Sequence, residues 1–202
     1  ILTAVCAAVG RPEDTLRLLA GVGDVESAAP SMAMWNLGRT AAASATLNAA
    51  FDQGHKGLYE RLSAAAGDSD VDAFLTEFAA FSFAYGCRGP NEWEVRSPTW
   101  ETNPDLALAA IDRMRLSPAS ASPQGHNVEL AADRERIGAE IAAMVEGDPE
   151  THGQFLAALS SSRVFMPGRE RTKTNNIKLV HELRVALMEL GRRCVANGTF
   201  PK

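Results

Sequence analysis

Arg169, Glu170 and Lys173 crowd one short stretch of this sequence, with Arg171 among them and Asn176 just beyond. Fixed cations beside the free N–H groups of a helix start would suit a phosphate or a similar anion. If a helix does start here, its cations sit where the macrodipole is positive, a placement that costs about 0.3–1 kcal/mol each. Such a broken local rule is where function is expected. Arg169, Lys173, Asn176 and Val180 follow one another at i, i+4, i+7 and i+11, so the spacing predicts that these polar groups share an inward-facing stripe or line a cleft. Glu170, one step round, partly neutralises them. The plain alternative is a set of solvated charges, or charges paired with acids elsewhere in the fold.

The element that must carry these residues runs from Arg169 to Asn197. Ile177, Val180, Leu183, Leu187, Leu190 and Cys194 recur at helical spacing, and Gly198 is a natural stop. The pattern predicts one amphipathic helix of about seven turns. A second charged place precedes it. The segment Gly86 to Asn103, GCRGPNEWEVRSPTWETN, holds two glycines, two prolines and Asn91, which exclude regular structure over most of it. It also holds Trp93 and Trp100, which predict a loop packed onto the body of the fold. Long ordered loops in compact domains commonly carry function. Arg88 and Glu92 are its candidates for facing a cleft; a connecting loop pinned by its tryptophans is the other reading.

The rest of the chain reads as helices. Residues 1–9 form one. Pro12 opens a second through Leu16, Leu18 and Leu19, which breaks at Gly21-Val22-Gly23. Asp24 and Ser27 start the next region, and a helix from Pro30 carries Met34, Trp35, Leu37, Leu47 and Phe51 to Gly54. Another spans His55 to Ala66. Asp68 to Asp70 then cap a strongly apolar helix with Val71, Phe74, Leu75, Phe78, Phe81 and Tyr85. Its aromatic face, with Met32, Met34 and Met166, reads as core or as the lining of an apolar pocket. Asn103-Pro104 opens a helix to Met114. Ser117 to His126 is a Ser/Pro/Ala-rich linker and the candidate hinge. Asn127 to Val145 is helical, and Asp148-Pro149-Glu150 caps a helix ending at Ser160–Ser162, followed by an apolar turn at Val164–Gly168. No alternating strand pattern appears, so the class is all-α, with one long C-terminal helix and one long tryptophan-bearing loop.

Bulk properties narrow the function. A chain of 202 residues with net charge −5 is no general nucleic-acid binder, so any attraction for anions must be local. Three scattered cysteines and four scattered histidines fit a reducing cytoplasm and show no zinc-ligand spacing. No stretch is apolar and long enough to span a bilayer. Arginine outnumbers lysine 16 to 4, which suggests a GC-rich bacterial genome. The first residue is Ile1, and residues 1–202 are expected to be a single helical domain excised from a larger chain.

Two of these stretches together resemble one family. The loop GCRGPNEWEVRSPTWETNP is similar to the G-H-R-G-x-x-E…P-x-W-x-E-x-P segment of phosphoenolpyruvate-synthase-like and rifampin-phosphotransferase-like proteins. The stretch from Arg169 to Lys173 resembles the R-E-x-x-K helix that follows it in those chains. The resemblance implies the central, acceptor-binding domain of a dikinase-type phosphotransferase. An ATP-grasp domain of the same parent chain would pyrophosphorylate a histidine on a swivelling domain, and that phosphohistidine would pass a phosphoryl group to a small-molecule acceptor held here. By resemblance Arg169, Glu170 and Lys173 are catalytic, and Arg88, Glu92 and Asn176 bind substrate. ATP and Mg belong to the other domains, and this one holds no cofactor or metal. Cys87 stands where His is expected. The rival reading is a non-catalytic helical ligand-binding or docking domain.

Overall fold

A computed structural model describes residues 1–22 and 28–201. Among these residues the chain forms nine α-helices and no strand. They are α1 (Leu2–Ala8), α2 (Asp14–Leu18), α3 (Ala29–Ala43), α4 (Ala45–Asp52), α5 (Leu58–Ala64), α6 (Ser69–Tyr85), α7 (Pro104–Leu116), α8 (Pro123–Met144) and α9 (Pro149–Ala196), with a 3₁₀ turn at Ala119–Ala121. The all-α class is therefore observed, as are the long last helix and the long loop between α6 and α7. Gly23, Asp24 and Ser27, where a break and a restart were expected, lie outside the described residues.

Contacts divide the chain into two units. Unit 1 comprises Ile1–Ala29 with Pro118–Thr172, and unit 2 comprises Pro30–Ser117 with Lys173–Lys202. One boundary falls at the head of the Ser/Pro/Ala-rich segment and the other inside α9.

Unit 1 closes over Val5, Cys6, Leu18, Ile137, Ile141 and Phe155. At Gly21 the backbone is left-handed (φ +58°), and an added Cβ would stand 2.5 Å from the Ala131 nitrogen, so both conformation and space require glycine there. Beside this core runs a closed ring of alternating charge. Arg11 pairs with Asp14 (2.5 Å), Asp14 with Arg17 (2.8 Å), Arg17 with Asp133 (2.7 Å), Asp133 with Arg136 (2.6 Å), Arg136 with Glu140 (2.5 Å), and Glu140 again with Arg11 (2.8 Å). The ring ties the α1–α2 connection and α2 to α8.

Unit 2 holds the larger core, from Met34, Leu37, Leu47, Phe51, Leu58, Leu62, Val71, Phe74, Phe78, Phe81, Leu108 and Ile111. The expected helix from Pro30 to Gly54 is broken at Ser44, which is extended (φ −107°, ψ 127°) and whose hydroxyl accepts from the Leu47 N–H to cap α4. Asp68 caps α6 through the N–H groups of Asp70 and Val71. At Gly38, α3 crosses α7 so closely that a Cβ would lie 2.9 Å from the Arg115 nitrogen and 3.1 Å from the Ile111 oxygen. Arg39 stacks over Trp35 (4.5 Å) and donates to the carbonyls of Met114 and Arg115, satisfying the end of α7.

Several expected boundaries move. α8 begins at Pro123 rather than Asn127, so the expected linker contains a 3₁₀ turn and a helix start. More consequentially, α9 is one 48-residue helix from Pro149, and neither Ser160–Ser162 nor Val164–Gly168 interrupts it. Ser162 donates its hydroxyl to the Leu159 carbonyl (2.7 Å) and Thr172 to Gly168 (3.0 Å), so these residues satisfy themselves within the helix. Pro167 withholds one N–H from the ladder and crowds the carbonyl one turn back, and the helix runs on through it. Arg169 to Lys173 thus lie mid-helix. Their N–H groups are used in the helix, and no helix-start anion site exists at that point.

Candidate functional site

The loop from Gly86 to Asn103 is held by short, directional contacts. Its two arms pair: the Glu101 N–H donates to the Gly86 carbonyl (3.0 Å) and the Trp100 N–H to the Arg88 carbonyl (2.8 Å). The glycines permit this approach. A Cβ on Gly86 would meet the Glu101 Cβ at 2.9 Å, and one on Gly89 would meet the Pro98 oxygen at 2.9 Å. Trp100 packs on Phe81 of α6, centroids 5.5 Å apart, and so pins the second arm. Trp93 was also expected to pack, but it is 53% exposed, because the backbone on either side of it is held instead.

Within that frame Arg88 Nε donates to Glu92 Oε2 at 2.5 Å, and Lys173 Nζ approaches Glu92 Oε1 at 3.4 Å. Glu92 is 14% exposed and stands between two cations, so the trio carries a net positive charge in a mostly desolvated place. Arg88, Glu92 and Lys173, named from distant parts of the sequence, are thereby brought together in unit 2. Arg169 and Glu170 belong to unit 1, where they pair with each other at 2.5 Å. Arg169 is 67% exposed, which corrects the expected inward stripe at that residue. Asn176 is exposed as well.

The buried stripe of α9 in unit 2 is rotated from the expected one. Ile177, His181 and Arg184 are buried, whereas Leu183, Leu187 and Leu190 are 53%, 45% and 56% exposed. His181 and Arg184 are the residues that sequence reasoning missed. Both reach the loop. Arg184 Nη2 donates to the carbonyls of Glu92 and Glu94, at 3.0 Å each, and His181 Nε2 lies 3.0 Å from Glu101 Oε2. The spacing of Lys173, Ile177, His181 and Arg184 (i, i+4, i+8, i+11) was the available signal, but it competed with a more apolar stripe.

Cys87 adjoins the trio. Burial pushes its thiol up, outweighing the nearby positive charge of Arg88 and Lys178. A protonated thiol is a poor base and a poor nucleophile. On the surface, α3 and α6 flank an open groove of about 450 Å³ lined by Ala33, Leu37, Ala80, Phe81 and Tyr85, with Asn36, Thr40 and Glu77 as its polar members. Phe74, Phe78 and Met34 lie in the core instead. Among the described residues no cluster of His, Cys, Asp or Glu is placed to hold a metal ion, and no helix is long and apolar enough to cross a membrane.

Among the described residues the fold is helical, and its long loop is clamped against a long helix with two cations about one carboxylate, which defines an all-α domain. The particular family follows from comparison with known ones: the model for the rifampicin phosphotransferase fourth domain matches residues 1–170, and the chain belongs to that family. It is accordingly part of a rifampicin phosphotransferase-like, phosphoenolpyruvate-utilizing type of enzyme. The match takes in Arg88, Glu92, Arg169 and Glu170 and ends before Lys173. No curated protein matches the chain.

Proposed function

We propose that the Arg88–Glu92–Lys173 cluster is the phosphoryl-receiving face of an acceptor-binding domain in an ATP-dependent, cytoplasmic bacterial phosphotransferase. The supporting observation is the convergence of Arg88 and Lys173 on one carboxylate, 2.5 Å and 3.4 Å away, in a loop clamped by α9. Phosphoryl transfer is chiefly a task of positioning and neutralising charge, and two fixed cations suit it. A phosphohistidine on another domain of the parent chain would lose its N–P bond as the acceptor oxygen forms the new O–P bond, and the freed imidazole nitrogen would take up the proton the acceptor hydroxyl loses. ATP and Mg act earlier, on the ATP-grasp domain. The groove between α3 and α6 supports the acceptor reading, because Phe81 packs on Trp100 and the Arg88 N–H donates to the Tyr85 carbonyl (2.9 Å). A ligand seated there would lie against Phe81 and Tyr85, the two groove residues that touch the loop. Arg169, Glu170 and Asn176 enter this reading through the family resemblance alone.

The second reading is a non-catalytic docking domain. It is favoured by the apolar stripe of Leu183, Leu187 and Leu190, each about half exposed. Titrating inorganic phosphate into the chain at low salt separates the two. The phosphoryl-site reading expects shifts in the side-chain NMR signals of Arg88 and Lys173, and silence at both rejects it. In the full-length enzyme, Lys173→Ala is expected to lower turnover with the fold intact; an unchanged rate removes Lys173 from the site.

A further inference from the structure

Arg184 has no exposed surface, and among the described residues no carboxylate pairs with it. Its partners are the Glu92 and Glu94 carbonyls at Nη2 and the His181 ring nitrogen Nδ1 at Nη1 (3.3 Å), while Nε is buried without an acceptor. Burying a guanidinium against dipoles alone is expensive. A simple stitch between helix and loop would be served by a neutral amide. What the guanidinium adds is a rigid planar group that grips two carbonyls of the same loop, on either side of Trp93.

Its orientation follows from the hydrogen-bond inventory. A guanidinium can only donate, so His181 Nδ1 must accept from Arg184 and the ring proton sits on Nε2. That proton is donated to Glu101 Oε2 at 3.0 Å. Thr99, itself fully buried, places its hydroxyl 3.4 Å from the same Nδ1. The row Glu101, His181, Arg184 and loop carbonyls is therefore aligned from end to end. It terminates on the backbone of Glu92, whose carboxylate bridges Arg88 and Lys173.

We propose that Arg184, aimed by His181 and Glu101, is a positioning residue for the Arg88–Glu92–Lys173 cluster. It fixes the main chain at Glu92 and so sets the distance at which the two cations are held apart. Its relevance to phosphoryl transfer rests on the reading of that cluster given above, whereas the positioning itself does not.

The test uses the chain with Arg184→Met, and with Glu101→Ala as a second variant, since Glu101 is 56% exposed and its loss leaves the core intact. In either variant, with wild-type circular dichroism, the side-chain NMR signals of Arg88 Nε and Lys173 Nζ are expected to move toward solvent-exposed values. Phosphate affinity is expected to fall on the order of fivefold for Arg184→Met and less for Glu101→Ala. The losses from Arg184→Met and Lys173→Ala are expected not to multiply in the double variant, because one acts through the other. A merely structural Arg184 would leave them multiplicative. Should Arg184→Met not fold, Glu101→Ala decides by the same signals. Wild-type positions for Arg88 and Lys173 in a folded variant overturn the proposal. If those signals move but wild type binds no phosphate, the positioning stands and the phosphoryl reading fails.

Discussion

Glu92 occupies the place an incoming anion would take, so Glu92→Gln is the most informative single change. Its carboxylate lies 2.5 Å from Arg88 Nε and 3.4 Å from Lys173 Nζ. A phosphate reaching the same donors must displace it and then remain beside it. Two unit charges about 4 Å apart repel by about 1 kcal/mol in water and about 4 kcal/mol at the dielectric typical of pairs near a protein surface. Glu92 can rotate away from the newcomer, which favours the lower end, about 1–2 kcal/mol. Glutamine keeps the shape and removes the charge, so phosphate should bind on the order of tenfold more tightly. Calorimetry at low ionic strength reads this directly, and the gain should shrink as salt is added, because screening shortens the reach of the removed charge. Unchanged or weaker binding by a folded Glu92→Gln chain would refute the argument, since Glu92 would then be a scaffold for the cations and not a competitor for them.

Three other outcomes are expected. Gly38→Ala forces α3 away from α7, whose backbone the new Cβ would meet at 2.9 Å, and should destabilise unit 2 by about 1–3 kcal/mol in urea unfolding. In unit 1 the guanidinium of Arg136 holds the Asp133 carboxyl below its ordinary range, and Arg11 does the same for Glu140. Folded values below the unfolded ones mean that the ring's contribution is present above about pH 4–5 and is lost as pH falls through the depressed values. Asp133→Asn should therefore flatten the acid limb of the stability–pH curve, and salt at neutral pH should weaken the wild-type ring. Cys87, whose thiol is pushed up by burial, should be alkylated by iodoacetamide at pH 8 more slowly than the half-buried Cys194, as mass spectrometry of partly modified chains would read.

Much of the fold was legible in the sequence because its signals are local. Asp68 before an apolar periodic run marks the start of α6, and Pro104 after Asn103 marks that of α7; both depend only on residues a turn away. Gly198, left-handed at φ +77°, closes α9 for the same reason. The glycines and prolines between Gly86 and Asn103 announce a loop, and its charged residues made Arg88 and Glu92 candidates. Pro167 misled because a proline reads as a stop, although its penalty is confined to one missing N–H and one carbonyl clash. Once the turns on either side are held, a long helix absorbs it.

The charged candidates, the helical class and the ordered loop were set by residue type and by spacing along the chain. Which face of α9 turns inward was not, because two stripes compete on it. Leu183, Leu187 and Leu190 are the more apolar, and burial by hydropathy alone would choose them. His181 and Arg184 are buried instead, because the loop folded beside them supplies carbonyls of Glu92 and Glu94 and the carboxylate of Glu101 at hydrogen-bonding distance. A buried polar group is tolerated only where its partners are present. Those partners lie some 80 to 90 residues away in the chain, so only the tertiary structure could bring them there.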